Sequence, residues 1–148
     1  MEPTDPRREA WRDFVELWTD LQRRTNEERA VVVVEGERDR ASLQALGIQG
    51  TIVLVHNGHS LAAVAQSLAE LRRPVVVLTD WDTEGGHLAR RLREFLEASG
   101  VRFDLDFRRK LSRRLKGELV HVEGLAGWAR RSAEREGAPL DHFLSPER

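Results

Sequence analysis

Short apolar runs alternate along this chain with longer segments in which apolar residues recur every third or fourth position. Residues 6–24 carry the first such segment. Trp11, Phe14, Val15, Trp18 and Leu21 follow the i, i+3, i+4, i+7 spacing of an amphipathic helix with one buried stripe. Asp5 is placed to cap it, and Pro6 suits the first helical position. Residues 25–29 are a polar connector. A strand–helix rhythm then repeats three times. Val31–Val34 leads to a helix over Glu37–Leu46, stopped by Gly47. Thr51–Val55 leads to a helix over Ser60–Leu71, closed off by Pro74. Val75–Thr79 leads to a helix over Gly86–Ser99, ended by Gly100. These three strands are continuous β-branched and leucine runs, as expected when helices cover both faces of a parallel sheet.

A fourth strand has a different pattern. Val101–Phe107 alternates apolar and charged residues, which predicts an edge strand with one face toward solvent. Asp104 and Asp106 then read as outward charges that protect the edge from aggregation. A short basic helix over residues 108–116 turns Leu111 and Leu115 inward, and a last helix spans Val122–Glu136. The expected fold is a small doubly wound, Rossmann-like α/β domain. Its parallel four-stranded sheet is flanked by helices, with one extra helix in front and two behind. Residues 1–29 form the leading helix and connector, 30–107 the sheet domain, and 108–148 a helical extension packed on it.

Composition narrows the function. The 148 residues suit one domain, and apolar (40%) and charged (33%) fractions are those of a globular protein with a heavily charged surface. Cysteine is absent, which excludes disulfides, thiol catalysis and cysteine-based zinc sites. No apolar run approaches the length of a membrane span and no signal-peptide stretch opens the chain, so a cytoplasmic location is expected. Net charge is −1, so any anionic partner must be met by a local patch. Seven basic residues (Arg102, Arg108, Arg109, Lys110, Arg113, Arg114 and Lys116) stand against only Asp104 and Asp106 in one 15-residue stretch. Arg109, Arg113 and Lys116 share a helical face that could hold nucleic-acid phosphates or simply be solvated.

The chemistry is concentrated where strands end. The third strand runs into Asp80-Trp81-Asp82-Thr83-Glu84-Gly85-Gly86, which crowds three carboxylates into five residues. Such crowding is unfavourable unless a cation sits among the acids. On an extended backbone Asp80 and Asp82 point the same way, and right-handed crossovers let the first and third strands lie side by side, so Glu35 would face the pair. Oxygen ligands of this kind suit Mg²⁺, with Mn²⁺ as a substitute. Gly36, Asn57-Gly58 and Gly85-Gly86 make turns at the same rim, where helix N-termini favour phosphate, and Arg38 stands where it could face a scissile phosphate. The plain alternative is that Asp82 only caps the following helix. Trp81 is expected to pack under that helix, pointing away from the acids. Trp11 and Trp18 either pack the front helix onto the domain or offer a homodimer or partner surface.

The apolar strand ending in Glu35-Gly36, then Asn57-Gly58, then Asp80-x-Asp82-x-Glu84-Gly85 resemble the Toprim domain. That domain is shared by type IA and type II topoisomerases, bacterial primases, overcoming-lysogenization-defect nucleases, recombination mediators and the bacterial 5S ribosomal RNA maturase. The resemblance covers about residues 30–107 and is greatest for small stand-alone archaeal-type members. It implies that Asp80 and Asp82 bind Mg²⁺, that Glu35 is a ligand or general acid/base, and that Glu84 matches a third acid of the topoisomerase version. With no tyrosine the chain lacks the topoisomerase nucleophile, and with no cysteine it lacks the zinc modules of the primases and recombination mediators. The resemblance then implies a metal-dependent nuclease acting on RNA or DNA. The alternatives are a non-catalytic nucleic-acid-binding module in a complex, or a nucleotidyl transferase that needs a partner.

Overall fold

In the computed structural model, which describes residues 5–138, four parallel strands lie in the order β2-β1-β3-β4. They are β1 (Val31–Val34), β2 (Ile52–Leu54), β3 (Val75–Val77) and β4 (Phe103–Asp104). The helices are α1 (Pro6–Glu27), α2 (Glu37–Ala45), α3 (Leu61–Leu71), α4 (Thr83–Ala98), α5 (Asp106–Arg114) and α6 (Leu125–Glu136), the last entered through a 3-10 turn at Val122–Gly124. Among these helices none is long and apolar enough to cross a membrane.

The two-residue period of a strand divides the valine runs between two cores. Val31, Val33, Val75 and Val77 pack with Val64, Ala65 and Leu68 of α3 and with Ala89, Leu92 and Leu96 of α4. Val32, Val34, Val76 and Leu78 meet α1, α2, α5 and α6 on the other face. β1 and β3 are wholly buried, which explains why their sequences show no alternation. Register Val32↔Val76 and Val33↔Val77 sets the ends of β1 and β3 side by side.

The leading helix belongs to the second core. Phe14 and Trp18 stack with ring centroids 5.1 Å apart, and Trp128 of α6 meets Phe14 edge-on, also at 5.1 Å. Trp18 Nε1 donates to the Leu46 carbonyl at 2.8 Å, and Gln22 Nε2 donates to the same oxygen at 3.2 Å. Leu46 closes α2, so α1 satisfies a carbonyl that a helix end leaves without an intrahelical partner. Trp11 and Trp18 are 6% and 0% exposed. They are core residues that pack the front helix onto the domain, the first of the two readings.

α6 begins at Leu125, after the 3-10 turn, rather than at Val122, and at two strand–helix junctions an aspartate side chain takes up the first amides of the helix and moves the boundary. β4 ends at Asp104 rather than Phe107: Asp104 Oδ1 accepts from the N–H groups of Asp106 and Phe107 (2.6 and 3.2 Å) and starts α5 there. Asp104 also pairs with Arg24 at 2.8 Å, so it joins α1 to the edge strand rather than guarding that edge by repulsion. α4 begins at Thr83, three residues before Gly86, because Asp82 caps it.

Truncating Trp18 to Ala should cost about 3–5 kcal/mol, whereas Trp18→Phe should cost about 1–2 kcal/mol, since Gln22 still serves the Leu46 carbonyl. Chemical denaturation of the two variants against the parent checks the order and the gap.

Candidate metal centre

Chain reversal places the site. From β1 the chain passes to α2 on one face of the sheet, and from β3 to α4 on the other. The crevice between the carboxyl ends of two such strands is where open α/β sheets bind ligands. Glu35 stands at the end of β1, and Thr79-Asp80-Trp81-Asp82 follow β3.

Three carboxylates there are held in the same manner. Glu35 Oε2 accepts the Asp80 backbone N–H at 2.7 Å. Asp80 Oδ1 accepts the Val122 N–H at 2.7 Å. Asp82 Oδ1 accepts the Gly85 N–H at 2.7 Å. Each acid thus fixes one oxygen on the main chain and keeps a second. Glu35 Oε1 stands 3.8 Å from His56 Nε2. Asp80 Oδ2 and Asp82 Oδ2 lie 3.3 and 3.5 Å from His121 Nδ1. Ligand atoms of Asp80, Asp82 and His121 all lie within 4.8 Å of one another. Anchored carboxylates with a spare oxygen suit a divalent cation that keeps several waters.

The electrostatics agree. Burial raises the Glu35 pKa above its ordinary 4.5, offset in part by the Asp80 N–H and reinforced by the charges of Asp80, Asp39 and Asp82. The Asp39 pKa is likewise raised above 3.8, first by burial, although its carboxylate accepts the Gly36 N–H at 3.0 Å. The hydrogen bond to Asp80 raises the pKa of His121 above 6.5. Arg108 supplies the nearby positive charge. Its Nε donates to the Thr79 carbonyl at 3.0 Å and its Nη2 to the Asp80 carbonyl at 2.7 Å. Burial pulls its pKa below the ordinary arginine range, against the opposing attraction of Glu35, Asp80 and Asp82.

Other residues singled out in the sequence fall elsewhere. Glu84 is exposed in the first turn of α4 and lies outside the cluster of Asp80, Asp82 and His121. The amides of Gly85 and Gly86 donate to Asp82 Oδ1 and to the Asp82 carbonyl, so they are not free for phosphate. Gly85 serves close approach instead: a Cβ there would stand 1.9 Å from the Asp80 carbonyl oxygen. Gly36 has an ordinary extended backbone (φ −150°) and open space around it, so no tight turn requires it. Asn57-Gly58 does form a turn, with Asn57 Oδ1 accepting the His59 N–H at 3.0 Å and Gly58 at φ 85°. Arg38 is exposed in the first turn of α2 beside Glu35 and Gly36. On α5, Arg109 pairs with Asp106 at 3.4 Å, and Arg113 lines an open groove against Asp13, Glu16 and Leu17 of α1. Arg108 is the α5 residue that reaches the loop after β3, through the Thr79 and Asp80 carbonyls.

Trp81 does not pack under α4. Its backbone N–H donates to the Val120 carbonyl at 3.0 Å and its ring Nε1 to the Leu119 carbonyl at 2.7 Å. The segment 119–122 therefore clamps the Asp80-Trp81-Asp82 loop. Sequence reasoning missed His121 and Asp39 as neighbours of the site. Asp39 reads as a helix-dipole residue, and nothing in the motif points about 40 residues downstream to His121.

Two outcomes follow. Gly→Ala inside a helix ordinarily stabilises by about 0.5–1 kcal/mol, and Gly86→Ala should do so, because its nearest neighbour is Arg108 Nη2 at 3.9 Å. Gly85→Ala should instead destabilise by about 3 kcal/mol or more, since the Asp80 backbone must move; thermal denaturation of the pair reads the opposite signs. Asp39 loses part of its ionisation on folding, so in metal-free protein its effect on stability worsens as pH rises through the carboxylate range and is absent below it. Asp39→Asn keeps the bond from Gly36 and should melt higher than the parent at neutral pH, the difference vanishing in acid.

Comparison with known proteins agrees with this geometry. Residues 30–112 match the Toprim domain. A UPF0292 protein of Methanosarcina acetivorans is 36% identical over 112 residues, covering 76% of this chain and 77% of that protein. A UPF0292 protein of Archaeoglobus fulgidus is 34% identical over 120 residues, covering 81% and 92%. A solved structure of an Aquifex aeolicus protein superposes with a TM-score of 0.60 at 26% identity, over 74% of this chain and 95% of that one. With its acids at the switch point of a 2-1-3-4 parallel sheet, this chain belongs to the Toprim domain family, alongside the archaeal UPF0292 proteins.

Proposed function

We propose that this protein hydrolyses phosphodiester bonds of nucleic acid with Mg²⁺, as a small Toprim nuclease. Membership of the Toprim family supports a metal-dependent role on nucleic acid. The observation that carries the finer reading is the common anchoring of Glu35, Asp80 and Asp82, each with one oxygen on a backbone N–H and one to spare.

Asp80 and Asp82 would hold the cation through Oδ2. When bound, it supplies Lewis acidity toward a phosphoryl oxygen and lowers the pKa of a bound water. The chain's own contribution is positional. Glu35, which lies outside the cluster of Asp80, Asp82 and His121 but is tied to the Asp80 N–H through Oε2, would handle the proton through Oε1. Arg108 holds the Thr79 and Asp80 carbonyls and so fixes the loop from which both aspartates project. Its charge also offsets the mutual repulsion of three acids. Exposed Arg38 and the Asn57-Gly58 turn stand at the same rim, where a substrate phosphate can meet them. The phosphate-binding role assigned to Arg109 and Arg113 would be confined to an extended substrate that wraps beyond the rim.

Incubation with a panel of structured RNAs and DNAs in Mg²⁺ tests the proposal. The parent should cleave at least one class, and Asp80→Asn with Asp82→Asn should lower the rate by about 100-fold or more. Equal rates for parent and double variant would discard hydrolysis at this site. Salt-dependent binding that survives the double substitution would then favour a non-catalytic nucleic-acid-binding module.

A further inference from the structure

The match to the Toprim domain ends at residue 112, yet the acidic site does not. Five contacts tie segment 119–122 to the loop after β3. The Leu119 and Val120 carbonyls receive the ring and backbone N–H groups of Trp81, the Val122 N–H holds Asp80 Oδ1, and His121 Nδ1 faces Asp80 Oδ2 and Asp82 Oδ2. The 3-10 turn and α6 that follow pack on α2 and α1, so this segment is anchored at its far end by the core. His121 is about half exposed, and its hydrogen-bond contact among the described residues is the one to Asp80.

We propose that His121 Nδ1 is a ligand of the divalent cation together with Asp80 and Asp82, and that this nitrogen donor shifts the site's preference from Mg²⁺ toward Mn²⁺. The inference rests on the metal-site reading above and deepens it. In an octahedral shell with bonds of about 2.1 Å, neighbouring ligand atoms stand about 3 Å apart. Nδ1 lies 3.3 and 3.5 Å from the two carboxylate oxygens, so small shifts suffice for all three to share one ion. The ligand chemistry separates the cations. Mg²⁺ demands oxygen donors and gives up water reluctantly, whereas imidazole suits first-row transition ions, and Mn²⁺ accepts mixed oxygen and nitrogen shells. Sites of carboxylates alone would not make this distinction. His56 is the competing imidazole at the rim, but it stands 3.8 Å from Glu35 Oε1 and is not part of the three-residue cluster.

The test uses the full chain, stripped of metal and titrated with Mn²⁺ and, separately, Mg²⁺ by calorimetry. Pulsed electron paramagnetic resonance of the Mn²⁺ form supplies a second readout that needs no activity. The expected result is Mn²⁺ binding at least about tenfold tighter than Mg²⁺, with ¹⁴N modulation from one imidazole. His121→Ala should abolish the modulation and weaken Mn²⁺ by about 10- to 100-fold while changing Mg²⁺ far less. His121→Asn, which offers an oxygen near the Nδ1 position, should recover binding without the modulation and with the preference for Mn²⁺ gone. Since the side chain is exposed, neither variant is expected to unfold, and melting curves verify this. Mn²⁺ binding with no ¹⁴N signal, or a signal that persists in His121→Ala, overturns His121 as a ligand but leaves the carboxylate site standing. Binding that is also indifferent to Asp80→Asn and Asp82→Asn overturns the metal site and this inference together.

Discussion

Four parts of the chain meet on the single residue Asp80. Its N–H donates to Glu35 at the end of β1, and its carbonyl receives Arg108 of α5. That carbonyl also lies against Gly85 of α4, where no side chain fits, and one carboxylate oxygen accepts the N–H of Val122 from the C-terminal extension. A backbone peptide held on every polar atom has little freedom to relax. The acids of the site are therefore presented on a rigid frame, and a charge cluster that would otherwise spread apart is kept together by hydrogen bonds made elsewhere on the same residues.

That arrangement works against the stability of the metal-free protein. Glu35 and Asp39 both bind protons more readily when folded, because burial and neighbouring acids disfavour their charge. Arg108 is the positive group beside them, and its own pKa is lowered by burial. A cation among the spare oxygens would relieve the same repulsion. The fold tolerates the unrelieved state because its two cores are independent of it: the valines of β1 and β3 are fully buried on both faces of the sheet.

The extra helices have a part in the site as well as in the core. α1 caps the end of α2 through Trp18 and Gln22, which steadies the helix that follows Glu35. α5 carries Arg108 inward while its other basic residues face solvent, α1 or the β4 corner. Segment 119–122 covers Trp81 and supplies the Asp80 anchor. The family domain, residues 30–112, contains the acids, but the residues that hold Asp80 in place come partly from beyond it.

Much of this was legible in the chain alone, for local reasons. The valine runs, the 3.6-residue stripe of Trp11, Phe14 and Trp18, and the acid-bearing strand ends are signals whose spacing equals a structural period. They were enough for the parallel sheet and the extra helices, and for setting Glu35 and Asp80 at neighbouring strand ends. Side-chain competition for helix starts was misjudged, because Asp82 and Asp104 could extend a strand or cap a helix, and capping prevailed at both. The tertiary structure alone decided which of seven clustered basic residues turns inward, that Gly85 answers to a neighbouring carbonyl rather than to phosphate, and that His121 stands beside Asp80 and Asp82. The Gly85 outcome turns on how the loop folds the Asp80 carbonyl back onto the helix start; the other two depend on contacts between residues roughly 30 to 40 positions apart in the chain, Arg108 with Thr79 and His121 with Asp80, and no periodicity or motif encodes a separation that only the packed core brings together.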